Sequence, residues 1–234
     1  MTERVKQLLG LARRQTGNKL IINSEKLEKR VALMENGVLE EYTIERTNDR
    51  NIVGSIFKGR VKNIEHGLKA MFVDIGYEKN AFLHFWDALP AALDAGVEEV
   101  ERTGKKKEKR ITARDIPEIY PVGSEVLVQV TKGPISTKGP RVTTNISLAG
   151  RFLVLMPYSD QSGISRKIDS QKERDRLRKI LRELNVPESM GVIIRTVGEG
   201  QKARYFVRDL AYLLGQSRSI EDGIERKRPP AWGF

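Results

Sequence analysis

Hydrophobic and polar positions alternate in short runs over the first two thirds of the chain and take up a helical period in the last third. Residues 19–23 form a short β-branched run, and apolar runs at 31–33 and 38–42 bracket Glu35-Asn36-Gly37. Asn-Gly between two such runs predicts a hairpin. In 56–62, Lys58, Arg60 and Lys62 fall on one face, with Phe57, Gly59 and Val61 on the other. In 70–75, Met71, Val73 and Ile75 share a face opposite Ala70, Phe72 and Asp74. In 80–84, Ala81 and Leu83 oppose Phe82 and His84. Further strands are predicted at 126–131 and 142–146. Five short strands with turns between them predict a small antiparallel barrel, interrupted by an insertion at 88–119.

After Ser147 the pattern becomes mixed α/β. Ser170 and Glu173 make a capping box ahead of Leu177, Ile180, Leu181 and Leu184, which predicts a helix over 170–184 that ends before Pro187. A strand at 192–194 runs into the Gly-bearing loop 195–200, and a second helix is predicted at 203–214. Gly10 weakens a helical reading of 5–14, which reads better as an extension, and the tail 226–234 reads as irregular.

Composition narrows the class. Of the 234 residues, 39% are hydrophobic and 31% charged, as in a folded globular chain. No apolar run reaches the length of a transmembrane helix, and the N-terminus lacks a signal-peptide core. The chain has no cysteine, which excludes disulfides and thiolate zinc sites and points to a cytoplasmic location. Charge is uneven. Residues 1–100 carry 15 Lys/Arg against 15 Asp/Glu, so the net +11 comes from residues 101–234, with 27 against 16. That imbalance fits a phosphate-rich partner, and it equally fits solubility with a few basic loops, such as 104–110.

Candidate chemistry follows from the faces. With Met71, Val73 and Ile75 inward, Phe72, Phe82 and His84 point outward beside Lys58, Arg60 and Lys62. Aromatics beside cations make a platform for bases and phosphates, unless another segment covers the rings. Arg195-Thr196, at a strand end before a Gly-rich loop, offers a guanidinium fork, a hydroxyl and backbone amides to one phosphate, and Arg166 and Lys167 can converge there. A surface arginine with a turn threonine fits the same residues. The basic face Arg174, Arg178 and Arg182 reads as solvated. His66 and His84 are the only histidines, and no carboxylate is placed beside Asp74, so neither a His-based triad nor a two-metal centre is indicated.

Several stretches resemble the opening of ribonuclease E/G endoribonucleases. They are 19–37, Gly54-Ser-Ile-Phe-Lys-Gly-Arg-Val61, Ala70-Met-Phe-Val-Asp-Ile-Gly76, Ala81-Phe-Leu-His84, Asn145-Ile-Ser-Leu-Ala-Gly150, Leu153-Val-Leu-Met-Pro157, Gly163-Ile-Ser-Arg166 and Ile194-Arg-Thr196. The blocks are collinear from about residue 19 to 230. The resemblance implies an α+β chain with an N-terminal extension (1–18) and the first part of a ribonuclease H-like subdomain (19–50). An OB-fold RNA-binding barrel (51–147) and a sensor of the RNA 5′ end (148–234) would follow.

By the same resemblance, Phe72, Phe82 and Lys138 contact RNA, Arg195 and Thr196 grip the 5′-monophosphate, and Gly150, Val154 and Arg166 seat the terminal nucleotide. The implied partner is single-stranded RNA with a 5′-monophosphate, in rRNA processing and mRNA decay. The family's magnesium-binding aspartates and zinc-binding cysteines lie in regions that follow the matched part. No cofactor is therefore expected in this chain, and binding without cutting is expected of it. The end of the matched part also leaves strands of 19–50 without expected partners. A stand-alone RNA-binding module and an inactive truncated product are the alternatives. No motif indicates an oligomeric state.

Overall fold

The computed structural model describes residues 17–46, 51–90, 96–100, 111–225 and 229–232, and the chain divides into two compact units, 1–51 and 52–234. The extension 5–14 and the basic loop 104–110 lie outside the described residues.

In the first unit, β1 (Asn18–Ser24), β2 (Glu28–Glu35) and β3 (Val38–Arg46) form an antiparallel meander. Asn36 and Gly37 take φ of 51° and 84°, the two left-handed positions of a tight hairpin turn, so the Asn-Gly signal is realised. A bulge after Leu33 resets the register. Leu20 sits opposite Leu33 and Ile22 opposite Val31 on one face, while Ile21, Ala32 and Tyr42 line up on the other. Leu20, Ile22 and Tyr42 are exposed. Three strands cannot cover both of their own apolar faces.

The second unit opens with β4 (Ile56–Glu65), β5 (Ala70–Asp74) and β6 (Ala81–His84). Then come β7 (Val97–Glu99), the short helix α1 (Ile116–Ile119), β8 (Glu125–Lys132) and β9 (Arg141–Thr143). Strands pair in the order β4-β5-β6-β9-β8, and β8 returns to β4, so the five-stranded barrel is closed. Only β6–β9 is parallel among these pairs. Met71, Val73, Leu83, Val128 and Val142 are fully buried inside, and Ile116 of α1 joins them. The alternation in the sequence is the alternation of the wall, and the fold is an OB-type barrel.

The 88–119 insertion behaves differently from a loop on the barrel. Its strand β7 pairs with β12 (Gly163–Ser165) of the following module. That module also contains β10 (Leu148–Ala149), β11 (Leu153–Met156), the helix α2 (Gln171–Glu183), β13 (Gly191–Ile194) and the helix α3 (Ala203–Glu225). Its sheet runs β10-β11-β13-β12-β7, with β12 and β13 parallel. Leu153, Leu155, Val192 and Ile194 share one core with Leu177 and Leu181 of α2 and Phe206, Leu210 and Leu213 of α3. Each such side chain contributes about 1.5–3 kcal/mol by leaving water. Ile56 of β4 enters this same core, and the Gln129 amide bonds the Gly54 and Ser147 carbonyls at 3.0 Å each, which ties the barrel to the module.

Three sequence expectations need correction. Helix α3 runs past Gly215 to Glu225 because Leu213, Ser217 and Ile220 continue its buried stripe. The tail is not irregular throughout, since β14 (Ala231–Trp232) pairs with Lys58 and Phe57 of β4. The basic face of α2 is not simply solvated, because Arg174 and Arg178 both bind Glu98 of β7, and Arg178 also binds Asp175.

The capping box at α2 is half formed. Ser170 Oγ accepts from the Glu173 amide at 3.3 Å, but the Glu173 carboxylate does not turn back to Ser170. It accepts two bonds from Arg176 (2.8 and 2.6 Å) and one from the Gly200 amide (2.8 Å), docking the 195–200 loop on the helix. The Arg176 guanidinium beside Glu173 lowers its pKa below the ordinary carboxylate value. A depressed folded-state pKa means that this stabilisation is complete above the unfolded pKa and is lost as pH falls through the folded one. Glu173→Gln should therefore lower stability at neutral pH and flatten the loss of stability on acidification, as followed by chemical denaturation across the acid range. An acid limb identical to that of the parent would refute this assignment.

Candidate nucleic-acid interface

On the barrel, Phe72 and Phe82 lie directly opposite each other on β5 and β6. Their rings meet edge to face at 5.9 Å, and Phe82 also approaches the His84 ring at 6.4 Å. All three are half-buried, on the wall opposite the core. Two steps beyond His84 stands Trp86, 63% exposed, whose amide donates to His84 Nδ1 at 3.2 Å. Trp86 lies past the end of β6, in the 3-10 turn Phe85–Asp87, where the period-two alternation of the strand no longer applies. Sequence reading stopped short of it.

The turn that carries Lys138 comes alongside β6. Its backbone closes through Ile135 and Lys138, and the Pro140 carbonyl accepts from the Phe82 amide at 2.8 Å. Lys138 itself is exposed. The cationic row on β4 is differently placed. Lys58 pairs with Glu125 at 2.9 Å, Arg60 approaches the same carboxylate at 3.8 Å, and Lys62 pairs with Asp74 at 3.3 Å. These cations share the outer face expected of them, but their charge is already balanced by neighbouring strands. Arg141, opposite Phe82, is likewise bound to Asp87 at 2.7 and 3.0 Å.

The second group gathers at one end of the α/β sheet. Parallel pairing of Ile164 with Ile194 sends Arg166 and Arg195-Thr196 out of the same strand ends. Val154 faces Ile193 from the antiparallel neighbour, and both are half-buried on the side away from the core. Arg195 is exposed but not loose. Its amide donates to the Phe152 carbonyl at 2.8 Å, and its Nη1 donates to the Gly150 carbonyl at 2.7 Å. That leaves the rest of the guanidinium fork on a stem fixed at one nitrogen, with the exposed Thr196 next to it in the chain. Thr196 opens a 3-10 turn, Thr196–Gly198, in which the Gly198 amide donates to the Arg195 carbonyl at 2.9 Å and the Gly198 carbonyl accepts from the Gln201 amide at 3.1 Å.

What fixes the Gly150 carbonyl is a residue that sequence reading missed. Asp209 of α3 accepts from the amides of Arg151, Phe152 and Leu153 at 3.1, 2.8 and 2.9 Å. A Cβ on Gly150 would lie 2.6 Å from Asp209 Oδ2, so glycine is required for the carboxylate to reach the turn. Gly150, Val154, Arg195 and Thr196 are thus brought together and Arg166 follows the end of the neighbouring strand β12, while Lys58 and Arg60 belong to a separate ion-paired surface. Among the described residues, no three His, Cys, Asp or Glu side chains converge as a metal cage, and no helix is long and apolar enough to cross a membrane.

A closed OB-type barrel with an aromatic face, joined to an α/β sheet whose strand ends gather arginines, defines the class of OB-barrel proteins. Within it the chain belongs to the Ribonuclease E/G family, whose model matches residues 147–232. Ribonuclease G of Escherichia coli strain K12 is 42% identical over 211 residues, 90% of this chain and 41% of that protein. Ribonuclease G of Haemophilus influenzae is 40% identical over 208 residues, 89% of this chain and 40% of that protein. Ribonuclease E of a Nostoc species is 41% identical over 180 residues, 76% of this chain and 24% of that protein. The chain spans about two fifths of the length of the ribonuclease G relatives it matches.

Asp209→Ala should cost about 1.5–3 kcal/mol, because three amides lose a charged acceptor. Gly150→Ala should destabilise by a clash with the same carboxylate. The double variant should then lose little more than Asp209→Ala alone, since the clash disappears with the carboxylate. Strictly additive losses in denaturant unfolding would count against the clamp.

Proposed function

We propose that this chain binds single-stranded RNA as the RNA-binding front part of a ribonuclease E/G-type endoribonuclease, and that it reads a 5′-monophosphate at the end of that RNA. The barrel face of Phe72, Phe82 and Lys138 takes bases and backbone, with Lys58 and Arg60 as an outlying cationic edge. The strand-end group takes the terminus, with Arg195 and Thr196 on the phosphate and Gly150, Val154 and Arg166 around the first nucleotide. In the whole protein, hydrolysis of RNA phosphodiesters with magnesium, in rRNA processing and mRNA decay, is the activity this binding would serve.

The observation that carries the reading is the anchored Arg195. A guanidinium held at one nitrogen by the Gly150 carbonyl, with Thr196 next to it and Arg166 from the adjacent parallel strand, is suited to a dianion at a chain end. The barrel supports the rest, since edge-to-face aromatics on an OB surface accept bases without sequence preference.

Fluorescence anisotropy with matched 5′-phosphate and 5′-hydroxyl oligonucleotides tests both halves. The 5′-phosphorylated strand should bind more tightly, and Arg195→Ala should erase the difference. Phe72→Ala should weaken both strands alike, by about 1–3 kcal/mol, and affinity should fall steeply with salt. Equal affinity of the parent chain for the two strands would refute the end-reading half, and an unchanged affinity of Phe72→Ala would refute the barrel half.

A further inference from the structure

Between the turn at Arg151-Phe152 and α3 lies an open groove of about 500 Å³. One wall is the stripe Tyr205, Arg208 and Tyr212, at helical spacing along α3, and the other is Arg151 and Phe152 of the turn. Its aromatic and cationic groups are already stacked. The Phe152 and Tyr205 rings are 6.2 Å apart, Arg151 lies 5.2 Å from the centre of the Phe152 ring, and Arg204 lies 4.9 Å from that of Tyr205. Tyr212 is 62% exposed, with its hydroxyl held by Gln216 at 3.0 Å. The acidic group in the lining, Asp209, spends its carboxylate on three backbone amides.

Stacked rings, guanidinium groups and a carboxylate already engaged by three backbone amides suit a nucleotide strand, in which a flat base alternates with an anion. They suit an apolar peptide poorly, because two arginines line the groove, and a cation poorly, because the same two arginines outnumber the one acid, which three amides already engage. The position adds direction. The same turn that bonds Arg195 through Gly150 forms the groove wall through Arg151 and Phe152, so a strand whose 5′ end sits at Arg195-Thr196 can run on along α3.

We infer that this groove is a second subsite for single-stranded RNA, taking the nucleotides that follow the 5′ end, with bases on the Tyr205 and Tyr212 rings and phosphate at Arg151 and Arg208. The order of nucleotides along it rests on the end-reading role of Arg195, whereas strand binding by the groove does not.

The test uses the full chain with three probes: adenosine 5′-monophosphate, and oligoadenylate carrying a 5′-phosphate or a 5′-hydroxyl. The variant combines Arg208→Gln with Tyr212→Ala, both outside the core, and its folding is checked by thermal unfolding. Affinity for both oligoadenylates should fall about fivefold or more. The preference for phosphate over hydroxyl and the binding of the mononucleotide should stay as in the parent. Unchanged oligoadenylate affinity in the folded variant would overturn the subsite. Because the 5′-hydroxyl strand reports on the groove without the terminal phosphate, failure of end-reading, seen as no loss of preference in Arg195→Ala, stays distinguishable. Photo-crosslinking of a 4-thiouridine strand to the parent chain decides the matter should the variant not fold. Adducts at Tyr205 or Tyr212 support the subsite, and adducts confined to the barrel refute it.

Discussion

The Asp209 carboxylate reaches from the second turn of α3 to three consecutive amides at the turn into β11, and much of the second unit follows from that contact. It fixes the turn, the turn presents the Gly150 carbonyl, and that carbonyl holds the Arg195 guanidinium. A charged acceptor shared by three amides is stronger than any one neutral bond at this surface. It also explains the glycine at 150, which leaves the carboxylate room to approach. The loop that follows Arg195 is tied from the other side, where Gly200 donates to Glu173 of α2. Asp209 thus fixes the turn whose Gly150 carbonyl holds Arg195, and Glu173 fixes the other end of the 195–200 loop at Gly200.

The excess positive charge has a structure of its own. Lys58, Arg60 and Lys62 are balanced by Glu125 and Asp74 across the barrel seams, and Arg174 and Arg178 by Glu98 of β7. These pairs position strands, and partly exposed pairs of this kind add little to stability. Arg151 and Arg208 lie instead in the groove along α3, and Arg195 rests on a neutral carbonyl. The cations of the barrel edge are thus paired with carboxylates of the fold, whereas the Arg195 guanidinium is held by an uncharged group.

Legibility in the sequence tracked distance along the chain. The Asn36-Gly37 turn, the alternation through Phe72 and Phe82, and the α2 stripe at Leu177, Ile180 and Leu181 are short-range patterns, and the structure repeats them. The helix expected at 203–214 stops short of the real one because local propensity does not register the buried Ser217 and Ile220 that carry α3 onward. Glu173 was read as a capping-box partner of Ser170, but Arg176 and Gly200 offered its carboxylate better company. Contacts that join distant segments left no trace in local pattern. Asp209 lies 58 residues from Arg151, β7 leaves the barrel insertion for another sheet, and β14 returns to β4. Family resemblance supplied Gly150 and Val154, and the geometry supplies the reason that these positions sit with Arg195.

We propose that a 5′-phosphate docks at the Arg195 end of this sheet. Heteronuclear NMR on the isotope-labelled full chain, titrated with a 5′-phosphorylated dinucleotide and then with its 5′-hydroxyl counterpart, tests it most directly. The account predicts that the phosphorylated form shifts the amides of Gly150, Arg151, Arg195 and Thr196, and that the hydroxyl form leaves them nearly in place. Identical shifts from both forms, or shifts confined to other parts of the chain, would contradict it.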